Sequence, residues 1–246
     1  MDRGGPTAAL VLVALVGCRD FFVVPDAADA GVDVPDGGQA PVSDGGLDAE
    51  AAAGPLCSGN ALVCDDFEEA SLANRWSLDK SQVGELTEAQ SASPTHSFHL
   101  SRPGQNAGVD YISKQFASSD DDTLQIELSL RTSTSEGVYA FGLFVGNRAI
   151  ALNLDGAVIE GLNGGETASH KYTAVTTDGS WHRLRLRIDR KNSNVSFAVD
   201  GDLKLAKTAI AKLPDVASVT LAVGIYYAPA NTAWEGWYDD IVVTRD

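Results

Sequence analysis

Alternation of apolar and polar residues with a period of two dominates the chain from Cys57 onward. In Leu124-Gln125-Ile126-Glu127-Leu128-Ser129-Leu130-Arg131 every apolar side chain falls on one face of an extended strand. Trp181 to Ile188 repeats the pattern, with Leu184, Leu186 and Ile188 facing inward. Val195, Phe197 and Val199 follow, and Asp200-Gly201 then signals a tight hairpin before Leu203-Lys204-Leu205. Val219 to Tyr227 and Trp237 to Val243 give two further strands, and shorter ones are predicted around Phe98–Leu100, Tyr111–Phe116, Ile150–Leu154 and Val158–Leu162. Val138 to Val145 is apolar on both faces, as a central strand covered twice would be. Ala206 to Leu213, stopped by Pro214, is the one segment that reads as a short helix. A dozen or so short strands separated by Gly, Asp and Asn turns predict an all-β fold of two packed antiparallel sheets. Residues 57–246 show no internal repeat and no linker-like break, which favours one sandwich over two immunoglobulin-like domains.

The N-terminus reads as an address. Ala8 to Val16 is an apolar run preceded by Arg3, too short to span a bilayer as a helix, which takes about 20 residues, and suited to a secretory leader. Leu15-Val16-Gly17-Cys18 resembles the lipobox of bacterial lipoproteins. The resemblance implies a signal peptide over residues 1–17, lipidation of Cys18 and attachment of the mature chain to a membrane through acyl chains. Arg19, in place of Asp, implies an exported protein of the outer membrane or cell surface. The alternative is an ordinary cleaved leader with an incidental cysteine. With Cys18 lipidated, Cys57 and Cys64 remain as a disulfide pair in an oxidising compartment, closing a loop that Gly59-Asn60 can turn. A metal or redox pair is the rival reading, but the spacing is not C-x-x-C and no His or Cys cluster accompanies it.

Charge separates the tether from the domain. The 246 residues carry a formal net charge of −16. Residues 19–56 hold eight acidic residues against one basic, in repeats such as Pro35-Asp36-Gly37-Gly38 and Ser43-Asp44-Gly45-Gly46. So little apolar surface cannot offset the entropy of ordering, which predicts a disordered acidic linker over residues 18–56, about 35 Å in root-mean-square reach. Residues 57–246 remain net negative. The charge balance therefore argues against nucleic acid as a partner.

Both ends of the domain resemble the laminin-G-like and concanavalin A-like jelly rolls of lectins, glucanases and bacterial surface proteins. The resemblance is carried by Cys64-Asp65-Asp66-Phe67-Glu68-Glu69 with Trp76, Ser93 to Leu100, Trp181 to Leu186 with Val199-Asp200-Gly201, and Trp237 to Val243. It implies a two-sheet jelly-roll sandwich over residues 57–246. It also implies that the first and last strands lie together, where acidic residues hold a structural Ca²⁺ in related domains. Asp66, Glu68 and Asp240 (or Asp239) are the corresponding oxygen donors, Asp66 and Glu68 sharing a face opposite Phe67. The bland reading is that they are solvated strand ends.

Catalytic patterns are missing. The glucanase string Glu-x-Asp-x-x-Glu does not occur, Glu127 stands alone on its strand, Glu136 precedes a hydrophobic one, and Asp120-Asp121-Asp122 reads as a solvated turn. His96 and His99 would point to opposite faces, and His170 and His182 have no recognisable catalytic nucleophile near them in sequence. Two surfaces are candidates for carbohydrate. One is the aromatic group Tyr226, Tyr227, Trp234 and Trp237 with Asn231 in the intervening loop, which either stacks on sugar rings or packs inside. The other is the row Arg183, Arg185, Arg187, which either grips an anionic polysaccharide or pairs with neighbouring acids. The expectation is a non-catalytic, membrane-anchored, lectin-like protein that binds glycan or envelope polysaccharide. The alternatives are a structural or protein-interaction module, or a glycan-active enzyme with an unfamiliar site.

Overall fold

The computed structural model describes residues 57, 59–80, 84–104, 108–134, 137–175 and 177–245. The leader, Cys18, the linker and Glu136 lie outside them. The chain runs through β1 (Ala61–Asp65), β2 (Ser77–Lys80), β3 (Glu85–Thr87), β4 (Ser97–Arg102) and β5 (Gly108–Ala117). Then come β6 (Thr123–Thr132), β7 (Tyr139–Val145), β8 (Arg148–Asn153), β9 (Ala157–Leu162) and β10 (Gly165–Lys171). Finally β11 (Trp181–Asp189), β12 (Asn194–Val199), β13 (Asp202–Ala209), β14 (Ser218–Ala228) and β15 (Trp234–Arg245) complete it. One sheet has the order β13-β12-β11-β6-β15-β4-β3, with β1 also on β15, and the other β10-β9-β8-β7-β14-β5-β2. The described pairings are antiparallel, so the two-sheet sandwich stands as expected.

Strand alternation builds the interior. In the first sheet, Val243, Ile126, Leu186, Phe197 and Leu205 form one row across five strands, with the first four buried. Its counterpart in the second sheet is Lys114, Leu221, Leu143, Ile150 and Glu160. The inward-pointing charges at its ends are both satisfied. Lys114 Nζ donates to the Arg75 carbonyl at 2.5 Å, and Glu160 is met by His170 Nε2 at 2.6 Å and the Ala211 amide at 2.8 Å. β7 lies at the middle of the second sheet, as its two apolar faces predicted. The Asp200-Gly201 hairpin forms with both residues at positive φ.

Three local expectations are corrected. The helix predicted over 206–213 is absent, because Ala206–Ala209 extend β13 along β12, after which Ile210 and Leu213 turn into the core. β1 stops at Asp65, and Phe67, at φ +58, turns into the core, so Asp66 and Glu68 do not share a strand face. Asp122 is buried rather than solvated. It accepts from the Ser119 amide and the Ser118 and Ser119 hydroxyls, and pairs with Arg245.

Cys57 and Cys64 are disulfide-bonded, so β1 is stapled where the domain begins. Asp65 then fixes the segment that follows. Its buried carboxylate accepts from the Phe67 amide at 2.8 Å, from Trp76 Nε1 at 2.5 Å and from Arg75 Nη1. β15 has β6 on one side along most of its length. On the other side it pairs first with β4, through Trp234–Tyr238, and then with β1, through Ile241–Thr244. The handover falls at Asp239-Asp240, where the register slips and Asp240 takes φ +51. Buried Asp239 accepts from the amides of Ala92 and Ser93 at 2.8 and 2.9 Å, and from that of Asp240 at 2.8 Å.

Two predictions follow from these carboxylates. Asp65→Ala leaves Trp76 and Arg75 without their shared acceptor, and a urea titration is expected to show a loss of about 3 kcal/mol. A loss under about 1 kcal/mol would mean the contacts are replaceable. The Asp239 carboxyl is pushed from an ordinary 3.8 up to about 6, first by burial, against its amide donors and with help from Asp240. A raised acid favours the protonated fold, so its contribution is complete below 3.8 and is lost as pH rises through about 6. Melting temperatures of wild type and Asp239→Asn between these limits should differ in slope, the variant losing less on alkalinisation; parallel curves would refute the assignment.

Candidate functional site

The face of the second sheet that points away from the core gathers five aromatic rings. Tyr111 on β5, Tyr139 and Phe144 on β7, and Tyr226 and Tyr227 on β14 touch one another with centroids 5.0 to 6.4 Å apart. None belongs to the core cluster. Adjacent residues of a strand normally face opposite ways. Tyr226 and Tyr227 escape that rule because the register of β14 slips against both neighbours there. Glycine makes the arrangement fit. At Gly224 (φ +119) a Cβ would come within 2.7 Å of the Asp110 carbonyl, so β14 can approach β5 beside Tyr111 only without a side chain.

Beyond β7 this face is lined by Ala149, Ala151, Ala157, Ile159 and Gly161, the positions alternating with core Ile150, Leu152 and Val158. Tyr139 donates to Glu166 Oε2 at 3.2 Å, although β8 and β9 lie between their strands. Strands three places apart are separated by about 14 Å along a flat sheet, so the sheet curves toward these side chains and the face is concave. Burial raises the Tyr111 and Tyr227 phenols and pushes Tyr226 up to about 12. Burial, and next the Glu166 charge, raises Tyr139 well above its ordinary value. All four phenols are therefore neutral hydroxyls around neutral pH, able to donate and accept.

The aromatic residues grouped by sequence separate in space. Tyr226 and Tyr227 belong to the concave face, though only 5% and 8% exposed. Trp234 is 2% exposed and packs in the core against Tyr238, its ring folded over Gly236. Trp237 is on the outer face of the other sheet, stacked on His99 at 4.8 Å with the Arg131 guanidinium 5.6 Å from its ring. Exposed Asn231 takes φ +64 in the β14–β15 loop. Tyr111, Tyr139 and Phe144 were not singled out by sequence, because only strand order sets β5 and β7 on either side of β14.

The arginine row forms as expected on one face of β11, and its acids are identifiable. Arg183 and Arg185 both pair with Glu127, at 3.2 and 3.0 Å, and Arg183 also donates to the Asp240 carbonyl at 2.9 Å. Arg187 continues the row, opposite Gln125. Of the proposed metal ligands, Asp66 and Asp240 lie near enough to repel one another. Glu68 turns instead to the amides of Thr95 and His96, at 3.0 and 2.9 Å. Its carboxyl is lowered to about 2, chiefly by the Thr95 hydroxyl. Among the described residues no group of three or more His, Cys, Asp or Glu side chains is arranged to hold a metal ion.

Carboxylates hold the four histidines. His96 meets Glu68 and Glu88, His99 meets Glu85 and Glu235, His170 meets Glu160, and His182 meets Asp178 and Asp200. These contacts fix the imidazole rings along sheet faces and loops and away from the aromatic surface.

No family model matches the chain, and no curated protein matches it. Its architecture is shared with solved structures. The endo-β-1,4-glucuronan lyase of the fungus Trichoderma reesei superposes with a TM-score of 0.50 at 12% identity, covering 75% of this chain and 95% of that one. A structure concerned with the cell entry of botulinum neurotoxin type C and its interaction with two ganglioside molecules also gives 0.50 at 12% identity. That match covers 75% of this chain, which spans about half of the toxin chain (48%). At such identity the likeness concerns fold alone: the described residues form an all-β sandwich of two antiparallel sheets.

Proposed function

We propose that this chain is a non-catalytic, surface-anchored carbohydrate-binding protein whose concave sheet receives a neutral polysaccharide. The observation carrying this reading is the contiguous set of five aromatic rings on a sheet face outside the core. Ring faces complement the C–H faces of pyranoses, and neutral phenols exchange hydrogen bonds with sugar hydroxyls. A neutral chain is preferred because Glu166 stands on this face and the domain is net negative. The jelly-roll neighbours, a polysaccharide lyase and a ganglioside-dependent toxin, support a carbohydrate ligand class. Lipidated Cys18 and the acidic tether would hold the domain clear of the outer membrane. The depth at which Tyr139, Tyr226 and Tyr227 are buried favours a second reading, in which the ring cluster only stiffens a protein-interaction module.

Affinity electrophoresis in gels cast with soluble β-glucan, xylan, galactomannan or alginate separates the two. Retardation by a neutral polysaccharide, weakened about tenfold in Tyr111→Ala, is expected for a stacking contact worth over 1 kcal/mol. No retardation by any of them would leave the interaction module. Running the gels with calcium and with chelator tests whether a cation relieves the Asp66–Asp240 repulsion. Appearance of unsaturated or reducing sugar ends during incubation would overturn the non-catalytic claim.

Anchoring is tested separately. In a bacterial host fed radiolabelled palmitate, the wild-type chain should carry label and sediment with membranes, while Cys18→Ser should do neither. Unlabelled wild-type protein in the medium would refute the anchor.

A further inference from the structure

The concave face is not equally open across its width. Tyr139, Tyr226 and Tyr227 are nearly buried, as are Ala151 and Ile159 on the floor beyond them. A ligand resting on the sheet therefore meets little of these side chains. The β5 side is different. There Gln115 is exposed, and Tyr111, Ser113, Thr220 and Phe144 are each partly exposed. Contact with anything lying on the face falls to this strip.

Strand register assembles the strip. Gln115, Thr220 and Phe144 stand opposite one another across β5, β14 and β7, so two strand spacings, about 10 Å, separate the amide's backbone from that of the phenyl ring. Ser113, Ala222 and Gly142 form the adjacent row. Because Gly142 has no side chain, Tyr226 settles over it: a Cβ there would lie 3.6 Å from the tyrosine ring. Tyr226 thereby backs both Tyr111 and Phe144, with centroids 6.4 and 5.0 Å from theirs. Tyr111 and Phe144, 6.3 Å apart, become a supported shelf of two rings. Gln115 Nε2 donates to Ser218 Oγ at 2.8 Å, which holds the amide at the margin of the shelf. None of the strip's side chains is charged near neutral pH, the Tyr111 phenol being raised by burial.

A ring without polar atoms, such as Phe144, selects by the shape of the sugar face laid on it. In a pyranose whose substituents are all equatorial, C–H bonds cover both faces and the hydroxyls point outward from the rim. An axial hydroxyl would be pressed onto the aromatic ring, stripped of water and given no partner. Successive units of an extended β-linked chain present alternate faces, so a shelf of two rings meets such a hydroxyl whichever way the chain is laid. We propose that this shelf selects β-linked chains of all-equatorial pyranoses, glucose or xylose, over chains of mannose, whose units carry an axial hydroxyl. Tyr111 and Phe144 take the C–H faces of neighbouring units, while Gln115 and Thr220 exchange hydrogen bonds with the hydroxyls at their rims. The inference rests on the carbohydrate reading and narrows it to one strip and one sugar geometry.

Isothermal titration calorimetry of the full chain with cellohexaose, xylohexaose and mannohexaose is the test. Cellohexaose or xylohexaose should bind, and mannohexaose should bind at least about tenfold more weakly, the loss expected for one unpaired hydroxyl. Phe144→Leu, which keeps an apolar side chain but removes the ring, should weaken the favoured ligand about tenfold, and Phe144→Tyr should restore it. Gln115→Ala, at an exposed position that the fold does not need, should weaken it about fivefold. Thermal melts confirm that each variant folds. Mannohexaose binding as tightly as the others, or affinity unmoved by either Phe144→Leu or Gln115→Ala, would overturn the shelf and leave the carbohydrate reading standing. Failure of all three hexasaccharides would also overturn the shelf, and the polysaccharide gels then decide whether the carbohydrate reading falls with it.

Discussion

Strand β15 must change neighbours halfway along, from β4 to β1, without exposing the backbone where those two strands abut. The rest of the sandwich hangs on how that junction is closed. Three carboxylates near it take N–H donors from segments that form no strand. Asp239 holds residues 92 and 93, Glu68 holds residues 95 and 96, and Asp65 holds Phe67, Arg75 and Trp76. A hard cation and a nest of amides meet the same electrostatic need, positive charge density around carboxylate oxygens. Here Glu68 and Asp239 are drawn into loop closure. Asp66 and Asp240 are left to repel one another, with Arg183 easing the load on Asp240.

Most of the fold was legible because burial on a pleated strand has a period of two, and the long strands β6 and β11 show it directly. The pattern is silent where a strand lies at an edge. β10 (Gly-Glu-Thr-Ala-Ser-His-Lys) pairs only with β9 and carries one weakly apolar residue, so nothing in it alternates. The helix expected over 206–213 failed for a related reason. β13 is also an edge strand, and slips of its register against β12, with Lys207 at φ +38, spoil the alternation that would have marked it.

The candidate site was less legible, and the cause is topological. Proximity in sequence suggested that Tyr226, Tyr227, Trp234 and Trp237 act together. Trp234 and Trp237 are three residues apart on one strand, so the pleat alone sends them to opposite faces. Tyr226 and Tyr227 share a face only because of a register slip, which composition cannot announce. Their true neighbours, Tyr111 and Phe144, become neighbours only when β14 is inserted between β5 and β7.

The two outer faces differ in what they leave for a ligand. On the first sheet, Arg183 and Arg185 already share Glu127, and Trp237 has His99 and Arg131 beside its ring. An anionic polymer would have to displace Glu127 from two guanidiniums while approaching a negatively charged domain, and each displaced pair would subtract from the new contact. On the second sheet the phenols are neutral, the aromatic edges form one surface, and alanine and glycine keep the floor low beyond β7. A neutral, hydroxyl-rich chain loses the least there, because it brings no charge to desolvate and finds both donors and acceptors in the same phenol groups. The distribution of charge, more than the presence of aromatic rings, is therefore what favours the concave sheet over the arginine face as the proposed place for a sugar polymer.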